Sequence, residues 1–166
     1  MALRFRGEFN QKVDSKGRMS IPARFRRVLE TGDPDYPDIN SQASLVLLYG
    51  DHLTDCMHAY TVEAFRDIED EILAMPRGSE ERRILSRLIL GQSLDAEVDK
   101  DGRVVIPKEQ RDKYGLSGDT VFIGMGDHFE IWPAEAFEKE EGAFARDFLD
   151  RQESGFDPLA LLQGRG

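Results

Sequence analysis

The stretch DSKGRMSIPARFRRVL, Asp14 to Leu29, returns 85 positions later as DKDGRVVIPKEQRDKY, Asp99 to Tyr114. Identical residues recur at Asp14/Asp99, Gly17/Gly102, Arg18/Arg103, Ile21/Ile106, Pro22/Pro107 and Arg26/Arg111. Each segment reads as a strand, a tight turn, a second strand and a helix. The Asp opening the turn can accept backbone N–H bonds, and the Gly closing it supplies a positive φ that other residues resist. Pro22 and Pro107 stand where a helix takes its first residue, because the N–H that proline lacks is unpaired there anyway. ARFRRVLE and KEQRDKYG supply the helices, with Gly115 as a C-terminal stop.

The repeat extends further along the chain. YTVEAF (Tyr60–Phe65) matches WPAEAF (Trp132–Phe137), and GDHL (Gly50–Leu53) matches GDHF (Gly126–Phe129). Four extra residues separate these matches in the first copy, which puts an insertion in a loop. GEFNQKVD and SLDAEVD open the copies as strands, and SLVLLYG and TVFIGMG form later ones. A further strand ends each unit at Tyr60 or Trp132, giving β-turn-β-α-β-β twice. Two copies are too few for a solenoid, so the expected fold is α+β, mainly β: two pseudo-symmetric halves of one domain. The boundaries fall at 7–60 for the first repeat, 61–91 for a helical linker, 92–135 for the second repeat and 136–166 for a C-terminal helix and flexible tail. The linker reads as two amphipathic helices broken at Met75–Gly78, with Ile68, Ile72 and Leu73 on one face of the first and Ile84, Leu85, Leu88 and Ile89 on one face of the second. Asp33–Gln42, rich in Pro and Asp, reads as a mobile loop.

At 166 residues, 40% hydrophobic and 33% charged, the chain has the profile of a globular protein. A single cysteine, Cys56, leaves no internal disulfide and suits a reducing compartment. MALRFRGEFN is charged by position 4 and builds no signal segment, and the longest apolar run, Leu45–Tyr49, is too short for a membrane span. Cytoplasmic is therefore the expected location, with no membrane partner. The net charge of −10 is unevenly spread. Residues 1–30 carry eight basic and three acidic side chains, a net +5 that leaves −15 for the remainder. Such asymmetry points to a polyanionic partner, against the plainer reading of a solvated charged surface.

Enzymatic motifs are missing. There is no GxxxxGK[ST], no GxGxxG between strand and helix, and no GxSxG elbow. The acidic residues offer no recognisable acid–base pair, so neither catalysis nor a small-molecule substrate is expected. His52, Cys56 and His58 lie close in sequence, but their loop offers no fourth soft ligand, so no metal or other cofactor is expected; His52 and His128 read as turn residues. The DSKGR turn carries Lys16 and Arg18 at a hairpin tip, followed by Arg24, Arg26 and Arg27 on the helix. Rigidly held cations meet phosphates, and Arg can also fork onto a guanine edge. The competing reading is that each Asp pairs with the Arg four residues on and staples its own turn.

The repeated DxxGR…IP unit resembles the swapped-hairpin DNA-binding domain of AbrB-type regulators. Two copies in one chain, with RRILSRLILG between them and GDHFEIW closing the second, are similar to the MraZ family over about residues 4–137. That resemblance implies one β-barrel made by interleaving copies, with both turns on one face. It further implies a ring-shaped homo-oligomer that binds short direct repeats in double-stranded promoter DNA. Its expected role is a nucleoid-associated regulator of the division and cell-wall gene cluster, including its own promoter. The family's motif falls on Asp14 and Arg18, and again on Asp99 and Arg103, with Lys16 and Arg24 beside the first. The second copy departs from it: Asp101 stands where Lys16 stands, and Glu97–Lys113 holds five bases and five acids. An oligomeric protein-interaction or antitoxin-like module is the alternative function.

Overall fold

Alternation of side chains builds the first hairpin. In β1 (Glu8–Val13) and β2 (Arg18–Ser20), Val13 and Met19 point inward and pair across the ladder, while Lys12, Arg18 and Ser20 point away. Gly17, at φ +84°, makes the turn between them. Helix α1 (Ala23–Thr31) starts directly after Pro22 and buries Phe25, Val28 and Leu29 on one stripe. Strands β3 (Ser44–Leu48) and β4 (Met57–Thr61) complete the first copy. The second copy repeats the order with β5 (Ser93–Glu97), β6 (Arg103–Val105), a helix at Lys108–Tyr114, β7 (Gly118–Gly124) and β8 (His128–Pro133).

The computed structural model describes residues 3–163. Its eight strands form one antiparallel sheet in the order β5-β3-β4-β8-β7-β1-β2-β6. The two end strands are consecutive in the chain and joined by the second DxxGR turn, where the Asp99 N–H donates to the Arg103 carbonyl at 2.8 Å. The sheet is therefore a nearly closed barrel. Its pairing obeys a pseudo-two-fold: β1 lies against β7 of the other copy, β5 against β3, β2 against β6, and β4 against β8. Neither copy closes its own sheet, so the interleaved barrel that the family resemblance implies is the architecture.

The exchange is locked at the turns. The Ile21 N–H donates to the Gly102 carbonyl (2.9 Å), and the Ile106 N–H donates to the Gly17 carbonyl (2.8 Å), so each turn is held by the other copy. Arg26 donates from Nη1 to the Ile21 carbonyl, and Arg111 donates from Nε to the Ile106 carbonyl at 2.9 Å. A Cβ on Gly102 would meet the Arg26 guanidinium, and one on Gly17 would meet that of Arg111. Each recurring arginine thus fills the space left by the opposite turn's glycine. The barrel interior is apolar. Phe25 packs at its centre against Phe5, Phe9 and Phe129, with ring centroids 4.8–5.3 Å apart.

The remaining helices are α2 (Val62–Leu73), α3 (Glu80–Leu85), α4 for the Lys108–Tyr114 helix already described, α5 (Ala134–Ala136), α6 (Gly142–Asp150) and α7 (Ala160–Gln163). Thr61 and Ser79 cap α2 and α3 by accepting backbone N–H bonds from Ala64 and Arg82. Gly115 ends α4 in the left-handed conformation. A π-helical turn, Ser86–Leu90, continues α3, and another, Phe137–Glu141, links α5 to α6. Two linker residues depart from the apolar faces read in the sequence. Leu73 is 55% and Ile84 48% exposed, so the buried side of α2 is carried by Phe65 and Ile72. Asp33, in the loop read as mobile, is buried, and its carboxylate accepts the N–H groups of Asp35 and Ser44. The chain divides into two compact units, the first ending at Ala134 and the second starting at Glu135. The second is helical, and the last three residues of the predicted tail lie outside the described residues.

Candidate nucleic-acid interface

The first DxxGR turn is a closed network of hydrogen bonds. Asp14 Oδ1 accepts the backbone N–H groups of Lys16 and Arg18, each at 2.9 Å, and Asp14 Oδ2 accepts Arg18 Nε at 2.7 Å. The Arg18 N–H, foremost, with the guanidinium and the Lys16 N–H, holds the Asp14 carboxyl at about 2, well below its ordinary 3.8. Asp14 therefore works as the brace of the turn. Arg18 spends only Nε on it; among the described residues its two Nη groups make no hydrogen bond. Lys16 stands fully outward at the tip.

The second turn repeats the brace. Asp99 Oδ1 accepts from Asp101 N (2.8 Å) and Arg103 N (2.9 Å), and Asp99 Oδ2 from Arg103 Nε (3.2 Å). The Arg103 N–H is the main cause holding this carboxyl below its usual range. One contact is added: Arg103 Nη2 donates to Asp101 Oδ2 at 3.3 Å. Two carboxylates thus hold this arginine where one holds Arg18.

The β2–β6 ladder brings the two turns together. Arg18 lies opposite Val105, Ser20 opposite Arg103, and Met19 opposite Val104. Met19 and Val104 are buried inside the barrel, so Arg18, Ser20, Arg103 and Val105 share the outer face. A two-residue offset along the ladder and one strand spacing put the two arginine Cα atoms about 8 Å apart. The stapling seen here and an outward cationic surface are compatible, since a braced Nε leaves the fork of Arg18 pointing away.

Other predicted residues divide by charge. Arg24 is exposed on the first turn of α1, a helix whose N-terminus has no side-chain cap and no acidic residue. Bare N–H groups and the helix dipole favour an anion there. Arg26, one of the helix cations that follow the tip, is committed to the barrel. Residues 12–27 hold six bases and one acid, whereas the equivalent 97–112 hold four bases and five acids. The first segment is thus net +5 and the second net −1. Ser20 and Val105 were missed in the sequence, although their alternation with buried Met19 and Val104 was the available signal.

The match to known proteins covers nearly the whole molecule. The model of the family described as "MraZ protein, putative antitoxin-like" matches residues 4–88 and again 89–157, one match for each copy. The chain belongs to the MraZ family. A protein of Ruegeria pomeroyi named "Transcriptional regulator MraZ" is 48% identical over 166 residues, covering 100% of this chain and 99% of its own. Relatives of the same name from Cereibacter sphaeroides and Caldanaerobacter subterraneus are 41% and 32% identical, over 100% and 80% of this chain and 99% and 83% of their own. The repeat that decided the fold is thus the MraZ architecture. No helix among the described residues is long and apolar enough to cross a membrane.

Proposed function

We propose that this chain is a sequence-specific DNA-binding regulator of transcription, acting on double-stranded promoter DNA through the Asp14–Arg18 turn and the outer face of β2–β6. The observation that carries the reading is the juxtaposition of Arg18 and Arg103 on one exposed ladder, with Lys16 and Arg24 adding charge beside the first. A two-stranded antiparallel ribbon fits the major groove. There Arg18 presents its unused Nη groups to guanine or phosphate, and half-exposed Val105 can meet a thymine methyl. Asp14 and Asp99 act as positioning residues that hold the arginines.

The reading includes self-assembly. One basic patch of this size makes few phosphate contacts, and linking several multiplies affinity by roughly 10²–10⁴ when geometry permits. A homo-oligomer reading direct repeats upstream of the chain's own gene, within a division and cell-wall cluster, is therefore the form proposed, with a cytoplasmic, nucleoid-associated location. The test is a mobility-shift titration with DNA from upstream of that gene against unrelated DNA at two salt concentrations. Specific retention that weakens with salt is the expected result. Equal retention of both DNAs, or none, would leave the protein-interaction or antitoxin-like module as the function.

A further inference from the structure

A second cluster lies on the outer face of β4 and β8, where the barrel's pseudo-dyad runs between the copies. His58 and Glu130 are cross-strand partners, as are Tyr60 and His128, while neighbouring Met57, Ala59, Phe129 and Ile131 face the core. Cys56 is buried just before β4. One ligand atom from each of Cys56, His58 and Glu130 lies within 4.8 Å of the other two. Sequence reading weighed His52, Cys56 and His58 and found no fourth ligand; the fold leaves His52 out and brings in Glu130 from the other copy.

The hydrogen bonding of this cluster leaves a place for a positive charge. Trp132 Nε1 donates to Glu130 Oε1 at 2.9 Å, which turns Oε2 toward the imidazoles. His58 Nε2 is 3.4 Å and His128 Nε2 3.7 Å from that same oxygen. His128 Nδ1 lies 2.7 Å from Asp127 Oδ1, an acceptor-only partner that places the proton on Nδ1. His128 Nε2 is buried and makes no hydrogen bond. A second proton on that nitrogen would suit the facing carboxylate oxygen, and so would a cation bound beside Glu130. A glutamate fixed through one oxygen by a neighbouring N–H, with the other oxygen facing a histidine, is how proteins prepare a carboxylate ligand for a metal.

We propose that Cys56, His58 and Glu130 form a binding site for a thiophilic divalent cation of the zinc type, with solvent as the fourth ligand. Thiolate and imidazole favour zinc or cobalt over magnesium or calcium. Bonds of about 2.1 Å to a tetrahedral ion put ligands about 3.4 Å apart, the separation His58 and Glu130 already have. Binding exchanges the Cys56 thiol proton for the metal and releases it to solvent. Because its ligands come from both copies, the ion would cross-link the two halves of the barrel.

Cobalt titration of the full-length protein, reduced and freed of metal by chelation, tests the site. The expected result is one cobalt per chain, with tetrahedral visible bands and a thiolate-to-cobalt charge-transfer band that zinc abolishes and magnesium does not. Cys56→Ser should lose the charge-transfer band. No charge-transfer band in the folded wild-type protein would show that a proton alone occupies the cluster and would overturn the proposal. A cobalt spectrum unchanged by Cys56→Ser would overturn it equally. The wild-type titration decides even where a variant fails to fold.

Discussion

Replacing Gly17 and Gly102 by alanine, one at a time, probes the lock between the copies. Both glycines hold positive φ, +84° and +77°, where any Cβ costs about 1–2 kcal/mol. Their surroundings differ. At Gly17 the new Cβ meets the Ile106 carbonyl oxygen at 2.5 Å, a backbone atom fixed by its own strand. Relief there pulls on the Ile106 N–H bond to Gly17 (2.8 Å) and on the Arg111 bond to the Ile106 carbonyl (2.9 Å), and losing one such bond costs about 0.5–1.5 kcal/mol. At Gly102 the nearest atom is Nη1 of Arg26 at 2.7 Å, a side-chain end that shifts only by loosening its bond to the Ile21 carbonyl. Gly17→Ala, which disturbs two such bonds, should therefore cost about 2–5 kcal/mol, and Gly102→Ala, which disturbs one, about 1.5–3.5 kcal/mol. Urea unfolding followed by far-ultraviolet circular dichroism reads the difference, with the Gly17→Ala midpoint lower by about 0.5–1 M. Equal midpoints, or a less stable Gly102→Ala, would refute the claim that these turns are locked as described.

Three further expectations rest on the same geometry. Phe25→Ala removes the ring at the barrel centre and should cost about 3–5 kcal/mol in thermal or urea unfolding; a loss under 1 kcal/mol would mean that the core is packed otherwise. The Asp14 carboxyl should titrate at about 2, against an ordinary 3.8, by side-chain carbon chemical shift. Because its folded value is depressed, its contribution is complete above 3.8 and fades as pH falls toward about 2; a midpoint near 3.8 would mean that the brace is open in solution. Asp101→Lys, which gives the second tip the charge of the first, should tighten DNA binding and steepen the slope of log K against log salt by about 0.9 per phosphate gained. An unchanged slope would place the second tip away from DNA.

The internal repeat explains how much of the molecule was readable. Residues needed by the barrel appear twice, because the pseudo-two-fold imposes each requirement on both copies. Asp14/Asp99, Gly17/Gly102 and Arg26/Arg111 recur for that reason, and each has a structural task at its turn. Side chains of the outward face need not recur: Lys16 faces Asp101 in the alignment of copies, and Arg24 faces Glu109. Recurrence therefore identified the frame, and its failure marked the asymmetric charged surface. Arg26 stands among the helix cations in sequence, and only its recurrence as Arg111 hints that it packs under a glycine 76 positions away. His128 was read as a turn residue from GDHF, yet it opens β8 and stacks on His58 at 4.5 Å between ring centroids. That cluster was illegible in one dimension, since Glu130 reaches Cys56 and His58 only through the β4–β8 pairing.

On the function proposed, Arg18 and Arg103 form one DNA-reading surface with unequal halves. That claim is tested most directly by the affinity of Arg18→Ala and Arg103→Ala for the DNA upstream of the chain's own gene, measured by anisotropy with fold and oligomeric state verified. Arg18→Ala should lose about 1–3 kcal/mol or more of specific binding if the side chain reads a base, and Arg103→Ala, already engaged by Asp99 and Asp101, should lose less. Unimpaired binding by both variants would contradict the claim and leave the two arginines as staples of their turns.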